Sequence, residues 1–113
     1  LSDVVKTPVV PAGFMSGWAQ YTVRLDNRSG RDGLQEYLKE KGIPSMVYYP
    51  VPMHRQTAYR TIDLSEADCP VADRLCETVL SLPMHSYISL DEIDAVCDSI
   101  RVFLRGERLN SGN

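Results

Sequence analysis

Apolar and polar residues alternate from Trp18 to Leu25, Trp-Ala-Gln-Tyr-Thr-Val-Arg-Leu, the two-residue period of a strand with one covered face. Ala19, Tyr21, Val23 and Leu25 share one face, which is expected to meet helices. Trp18, Gln20, Thr22 and Arg24 share the other, where a tryptophan beside polar groups reads either as contact with another surface or as a solvated sheet face. Asn27 to Gly30 is a turn, and Ser29 with Asp32 fits the capping-box spacing of a helix start. That helix is expected to run to about Lys41 with Leu34, Tyr37 and Leu38 on its buried stripe. Gly42 can take the left-handed conformation that ends it, letting Ile43 fold back on the last turn.

A second strand is predicted at Met46-Val-Tyr-Tyr49, all residues that fit a half-buried pleated surface. Pro50 and Pro52 stop it, because proline has no N–H for the ladder and pushes the preceding residue into extended geometry. Thr57 to Arg60 reads as a short helical turn presenting Tyr59. Asp68 is the expected N-cap of a helix with Pro70 in its first turn and Val71, Ala72, Leu75, Cys76, Val79 and Leu80 on its apolar face. Ser81 to His85 reads as a third strand, closed by Pro83. Ser89 and Glu92 form another capping box, followed at helical spacing by Ile93, Val96, Cys97, Ile100, Phe103 and Leu104, with Gly106 as the stop. The order β-α-β-loop-α-β-α predicts a two-layer α+β domain, with about three mostly antiparallel strands and three helices mainly on one face. Residues 1–17 read as a lead-in segment in which Val9 and Val10 touch the core, 18–105 as the domain, and 106–113 as a polar tail that frays.

At 113 residues, 43% hydrophobic and 24% charged, the composition is that of one ordered domain. A formal net charge of −3 with scattered basic residues argues against a nucleic-acid partner. No apolar run approaches the roughly 20 residues of a bilayer crossing, and Leu1-Ser-Asp-Val-Val5 has neither the basic end nor the apolar stretch of a signal peptide. The chain begins without methionine and reads as a piece of something longer. Cys69, Cys76 and Cys97 are odd in number and form no Cys-x-x-Cys pair, which argues for a reducing, cytoplasmic setting.

The stretch from Met46 to Gln56, Met-Val-Tyr-Tyr-Pro-Val-Pro-Met-His-Arg-Gln, concentrates the chemistry. It puts aromatic rings, an imidazole and a guanidinium on a stiff loop beyond a strand end. That suits a polar, partly flat ligand, or else it is a structural proline corner with its tyrosines packed inward. Elsewhere no catalytic set is visible. No glycine-rich loop opens a helix, no Gly-x-Ser-x-Gly occurs, and His54 and His85 lack metal-pair spacing. Lys6, Lys39 and Lys41 are the lysines of the chain, the last two late in a surface helix.

Four segments, Trp18-Ala-Gln-Tyr-Thr-Val, Arg31-Asp-Gly-Leu-Gln-Glu-Tyr-Leu-Lys-Glu-Lys-Gly-Ile-Pro, Tyr48-Tyr-Pro-Val-Pro-Met-His-Arg-Gln and Leu80-Ser-Leu-Pro-Met-His, together resemble the C-terminal small domain of the DegT/StrS sugar aminotransferases. The resemblance covers about Pro8 to Leu104 and implies a fold-type I enzyme dependent on pyridoxal 5'-phosphate. Such an enzyme moves an amino group, usually from glutamate, to a keto group on a nucleotide-linked sugar for amino-sugar, surface-polysaccharide or antibiotic-sugar synthesis. In the family the cofactor lysine and most phosphate-binding residues lie in an N-terminal large domain, and the enzymes are homodimers. The resemblance therefore implies that this chain carries no catalytic residue and binds no cofactor by itself. It makes Tyr48, Tyr49 and His54 the substrate-binding candidates, with Arg55 and Tyr59 weaker ones and His85 a structural residue at a strand end. Relatives often carry His where Tyr48 stands, Leu where Met53 stands and Pro where Ser86 stands, departures that bear on which sugar is used. A regulator of the same fold and a freestanding small-molecule-binding module are the alternatives.

Overall fold

The computed structural model describes residues 1–59 and 69–111. Two strands, β1 (Tyr21–Arg24) and β2 (Val79–Leu82), pair antiparallel with Val23 opposite Leu80 and Tyr21 opposite Leu82. Three α-helices accompany them: α1 (Arg28–Glu40), α2 (Pro70–Thr78) and α3 (Leu90–Ser111). Val23, Leu25, Leu80 and Leu82 form the buried face of the sheet, against Leu34 and Leu38 of α1 and Ile100 of α3. On the opposite face the hydroxyls of Thr22 and Ser81 lie 2.8 Å apart. The α+β class expected from the pattern is what the chain adopts, with two strands rather than three among the described residues.

The missing strand is the one predicted at Met46 to Tyr49. Only Met46 pairs, through a single antiparallel bridge to Ser81 (N–H to O distances of 3.0 and 2.8 Å). Prolines at 44, 50 and 52 withdraw donors on both sides of it. A second isolated bridge, Lys6 to Arg24, flanks β1. The lead-in segment reaches the core through Val5, which is buried, whereas Val9 is 84% exposed and Val10 is also exposed, contrary to expectation. Leu1 to Val5 forms one helical turn, with both Val4 and Val5 donating to the Leu1 carbonyl. Arg101 and Arg105 of α3 each reach Asp3 at 3.5 Å.

Other expectations shift in instructive ways. The first strand begins at Tyr21, not Trp18. Trp18 sits at φ +45° and turns its ring to 5.2 Å from that of Tyr21, so the two do not lie on opposite faces. The N-cap of α1 is Asn27, whose Oδ1 accepts from the Gly30 N–H at 2.7 Å, so Ser29 is already inside the helix. At its other end Gly42 has φ +75°, the Gly42 N–H bonds Lys39 O, and the Ile43 N–H bonds Leu38 O, the predicted stop.

Helix α2 ends at Thr78, and Val79 and Leu80, expected on its apolar face, belong to β2 instead; Val71 is exposed. Pairing with β1 outweighs one further helical turn here, since it seals Leu80 completely. The third strand accordingly runs two to three residues earlier than predicted, and His85 lies beyond it, exposed. Cys69 precedes α2, and Asp68 lies outside the described residues. The Ser89–Glu92 capping box is formed in both directions, at 2.7 and 3.1 Å. Gly106 does not end α3, because a glycine without positive φ costs a helix only about 1 kcal/mol.

Candidate functional site

The proline corner hangs between two fixed points. Its upstream end is the Met46–Ser81 bridge on β2. On either side of it Ile43 and Val47 pack on the core, while Tyr48 (43% exposed) and Tyr49 (75% exposed) face out. Their ring centroids are 6.5 Å apart at an interplanar angle of 48°. Tyr49 has φ +59°, where extended backbone was expected before a proline. A bulky residue in that region costs about 1–2 kcal/mol, so the loop must be held from elsewhere.

The holding contacts lie downstream. Two short 3₁₀ turns follow, Met53–Arg55 and Thr57–Tyr59, the second matching the turn expected to carry Tyr59, which is half-buried. Arg55 grips Asp73 of α2 with two parallel bonds, Nε to Oδ1 at 2.7 Å and Nη2 to Oδ2 at 3.0 Å. His54, whose side chain is only 11% exposed, places Nε2 3.2 Å from the same Oδ1. That nitrogen is buried and makes no aligned hydrogen bond, so its tie to Asp73 is one of proximity. The bonds from Arg55 hold the Asp73 carboxyl below the usual aspartate range, and Asp73 in turn raises Arg55.

Of the five candidates named from sequence, Tyr48 and Tyr49 share the outward edge of the corner. His54 and Arg55 converge on Asp73, and Tyr59 is half-buried at the end of the second 3₁₀ turn. Asp73 itself was missed. It is separated from Arg55 by 18 residues, so no local spacing announces the pair. Beside the corner is a cleft of about 210 Å³ whose lining includes Gln20, Ser45, Met46, Tyr48, Ser81 and Met84. Its mixed polar and apolar wall, with one aromatic ring at the edge, suits a ligand that both stacks and hydrogen-bonds.

Fold and corner together define a small α+β domain with two exposed aromatic rings at the edge of a cleft. The chain matches the DegT/DnrJ/EryC1/StrS aminotransferase family over residues 2–101, and it belongs to that family. It is 38% identical over 96 residues to a UDP-2-acetamido-2-deoxy-3-oxo-D-glucuronate aminotransferase of Pseudomonas aeruginosa, covering 85% of this chain and 25% of that protein. It is 36% identical over 105 residues to a pleiotropic regulatory protein of Geobacillus stearothermophilus, covering 93% and 27%. Among solved structures, a DegT DnrJ EryC1 StrS aminotransferase from Brucella abortus superposes with a TM-score of 0.81 at 45% identity, over 91% of this chain and 27% of that one. The chain thus spans about a quarter of the length of the proteins it matches.

The family implies pyridoxal phosphate, and the described residues do not fit that group. A lysine that holds it covalently must be desolvated and face a phosphate cradle. Lys6, Lys39 and Lys41 are all exposed, Lys6 beside the sheet edge and the other two at the end of α1. The Lys41 ammonium lies over the Tyr37 ring at 5.6 Å from its centroid. Among the described residues no group of three metal-ligating side chains occurs, and no helix is long and apolar enough to cross a membrane.

Proposed function

We propose that this chain is the C-terminal small domain of a pyridoxal-phosphate-dependent aminotransferase of fold type I. The whole enzyme acts in the cytoplasm as a homodimer and transfers an amino group from an amino acid to a nucleotide-linked keto sugar. The cofactor and its lysine reside on an N-terminal large domain. This chain contributes substrate-pocket wall: the rings of Tyr48 and Tyr49 contact the sugar nucleotide, and His54, Arg55 and Tyr59 shape the loop behind them. One observation carries the reading. The corner presents two exposed aromatic rings on strained, doubly anchored backbone, while every lysine of the chain is solvated. The name of the Pseudomonas relative supports the substrate class.

The test is steady-state kinetics of the full-length protein. Tyr48→Ala and Tyr49→Ala should each raise KM for the nucleotide sugar about tenfold, the range for losing an aromatic contact. The half-reaction with the amino donor should stay unchanged. Equal losses in both half-reactions would count against a sugar-side wall. The Geobacillus relative's name supports a second reading, a regulator of the same fold. The two readings part on whether the full-length protein holds pyridoxal phosphate covalently and transaminates.

A further inference from the structure

We infer that Asp73 is a positioning residue for the Tyr48–Tyr49 corner, acting through Arg55 and His54. The inference rests on the substrate-wall reading given above and adds the residue that sets the wall's shape. The corner runs from Met46, fixed to β2 by two backbone bonds, to Arg55, fixed to α2 by two side-chain bonds. Between those points Tyr49 occupies left-handed backbone and both tyrosine rings are exposed, so packing around the rings does not hold them. Non-glycine residues persist in such a conformation only where the surroundings over-determine it. Pro50 and Pro52 stiffen the connection, so the position of the second anchor is passed back to the rings.

The second anchor is one carboxylate. Asp73 receives the planar fork of Arg55 through both oxygens and has the buried Nε2 of His54 against Oδ1. A bidentate carboxylate–guanidinium pair fixes direction as well as distance, which a point charge does not. Asp73 is also placed to act at a distance from the ligand, because it sits on a helix while the rings it steers sit on the loop.

The experiment compares Asp73→Asn and Asp73→Glu in the full-length protein, with kinetics and backbone amide exchange read in parallel. Asp73→Asn should raise KM for the nucleotide sugar several-fold and leave kcat and the amino-donor half-reaction within about twofold. The amides of Arg55 and Gln56 should exchange about threefold to fivefold faster, the range an exposed ion pair supports, with those of α1 unchanged. Asp73→Glu keeps the charge and the fork acceptor and should recover most of both effects. Unchanged exchange at Arg55 and Gln56 overturns the inference, as does faster exchange in α1 as well, which marks general destabilisation. Faster local exchange with an unaltered KM also overturns it. If the wild-type protein does not aminate sugars, the substrate-wall reading fails, and the exchange result alone then decides whether Asp73 orders the corner.

Discussion

Replacing Arg31 by methionine removes a charged group that the fold has buried at the end of α2. Arg31 is 4% exposed, and its Nη1 donates to Cys76 O at 3.1 Å and to Val79 O at 3.2 Å. Those carbonyls belong to the last turn of α2 and the first residue of β2, where the helix has run out of its own donors. Its Nε donates to Asp32 Oδ1 at 2.6 Å. Methionine keeps most of the apolar stem, so the packing loss is small. Two hydrogen bonds from a charged donor contribute about 1.5–3 kcal/mol each. Releasing a buried charge recovers part of that, since burying an ion costs several kcal/mol. We expect a net loss of about 2 kcal/mol, a large share of the roughly 5–15 kcal/mol available to a domain of this size. Urea unfolding of the chain, followed by far-ultraviolet circular dichroism, gives the number directly. Arg31→Lys should fall about halfway, because it keeps charge and loses the fork. A change below about 0.5 kcal/mol in Arg31→Met would refute the reasoning, since two partly buried carbonyls that lose a charged donor should cost more than that.

Two further outcomes follow from the helix starts. Asn27→Ala strips the Gly30 N–H of its acceptor and should cost about 1 kcal/mol in the same urea experiment, while Ser29→Ala should be nearly silent. Glu92 titrates below its ordinary value of 4.5 because its carboxylate accepts the Ser89 N–H. A folded-state value that is depressed means its stabilising contribution is complete above pH 4.5 and is lost as pH falls through the lower, folded value. Glu92→Gln keeps the capping-box bond without the charge, so its stability curve should be flatter in that acid window. Parallel curves for the two proteins would sink the assignment.

The stop of α1 and the start of α3 were legible because each is settled by neighbours within a few residues. Gly42 and Ile43 close α1 as their spacing predicts, and Ser89 with Glu92 opens α3 the same way. The apolar stripe of Leu34 and Leu38 was equally plain, since a helix face depends only on its own period. The proline corner could be placed because Pro50 and Pro52 announce a loop that cannot join a sheet, although Tyr48 and Tyr49 were expected in a strand before it.

What tertiary structure decided depends on partners distant in the chain. Leu75, Cys76, Val79 and Leu80 keep helical spacing, yet the pairing of Val79 and Leu80 with Arg24 and Val23 ends the helix at Thr78. No local pattern marks Arg31 as buried, and it is Cys76 and Val79, more than 40 residues away, that present their carbonyls to it. His54 and the weaker candidate Arg55 stand out by type alone, and only the fold shows that both lie against Asp73 of α2. In each case a local pattern fixes what a residue can do, and only the folded chain supplies the charge, carbonyl or strand edge that selects what it does.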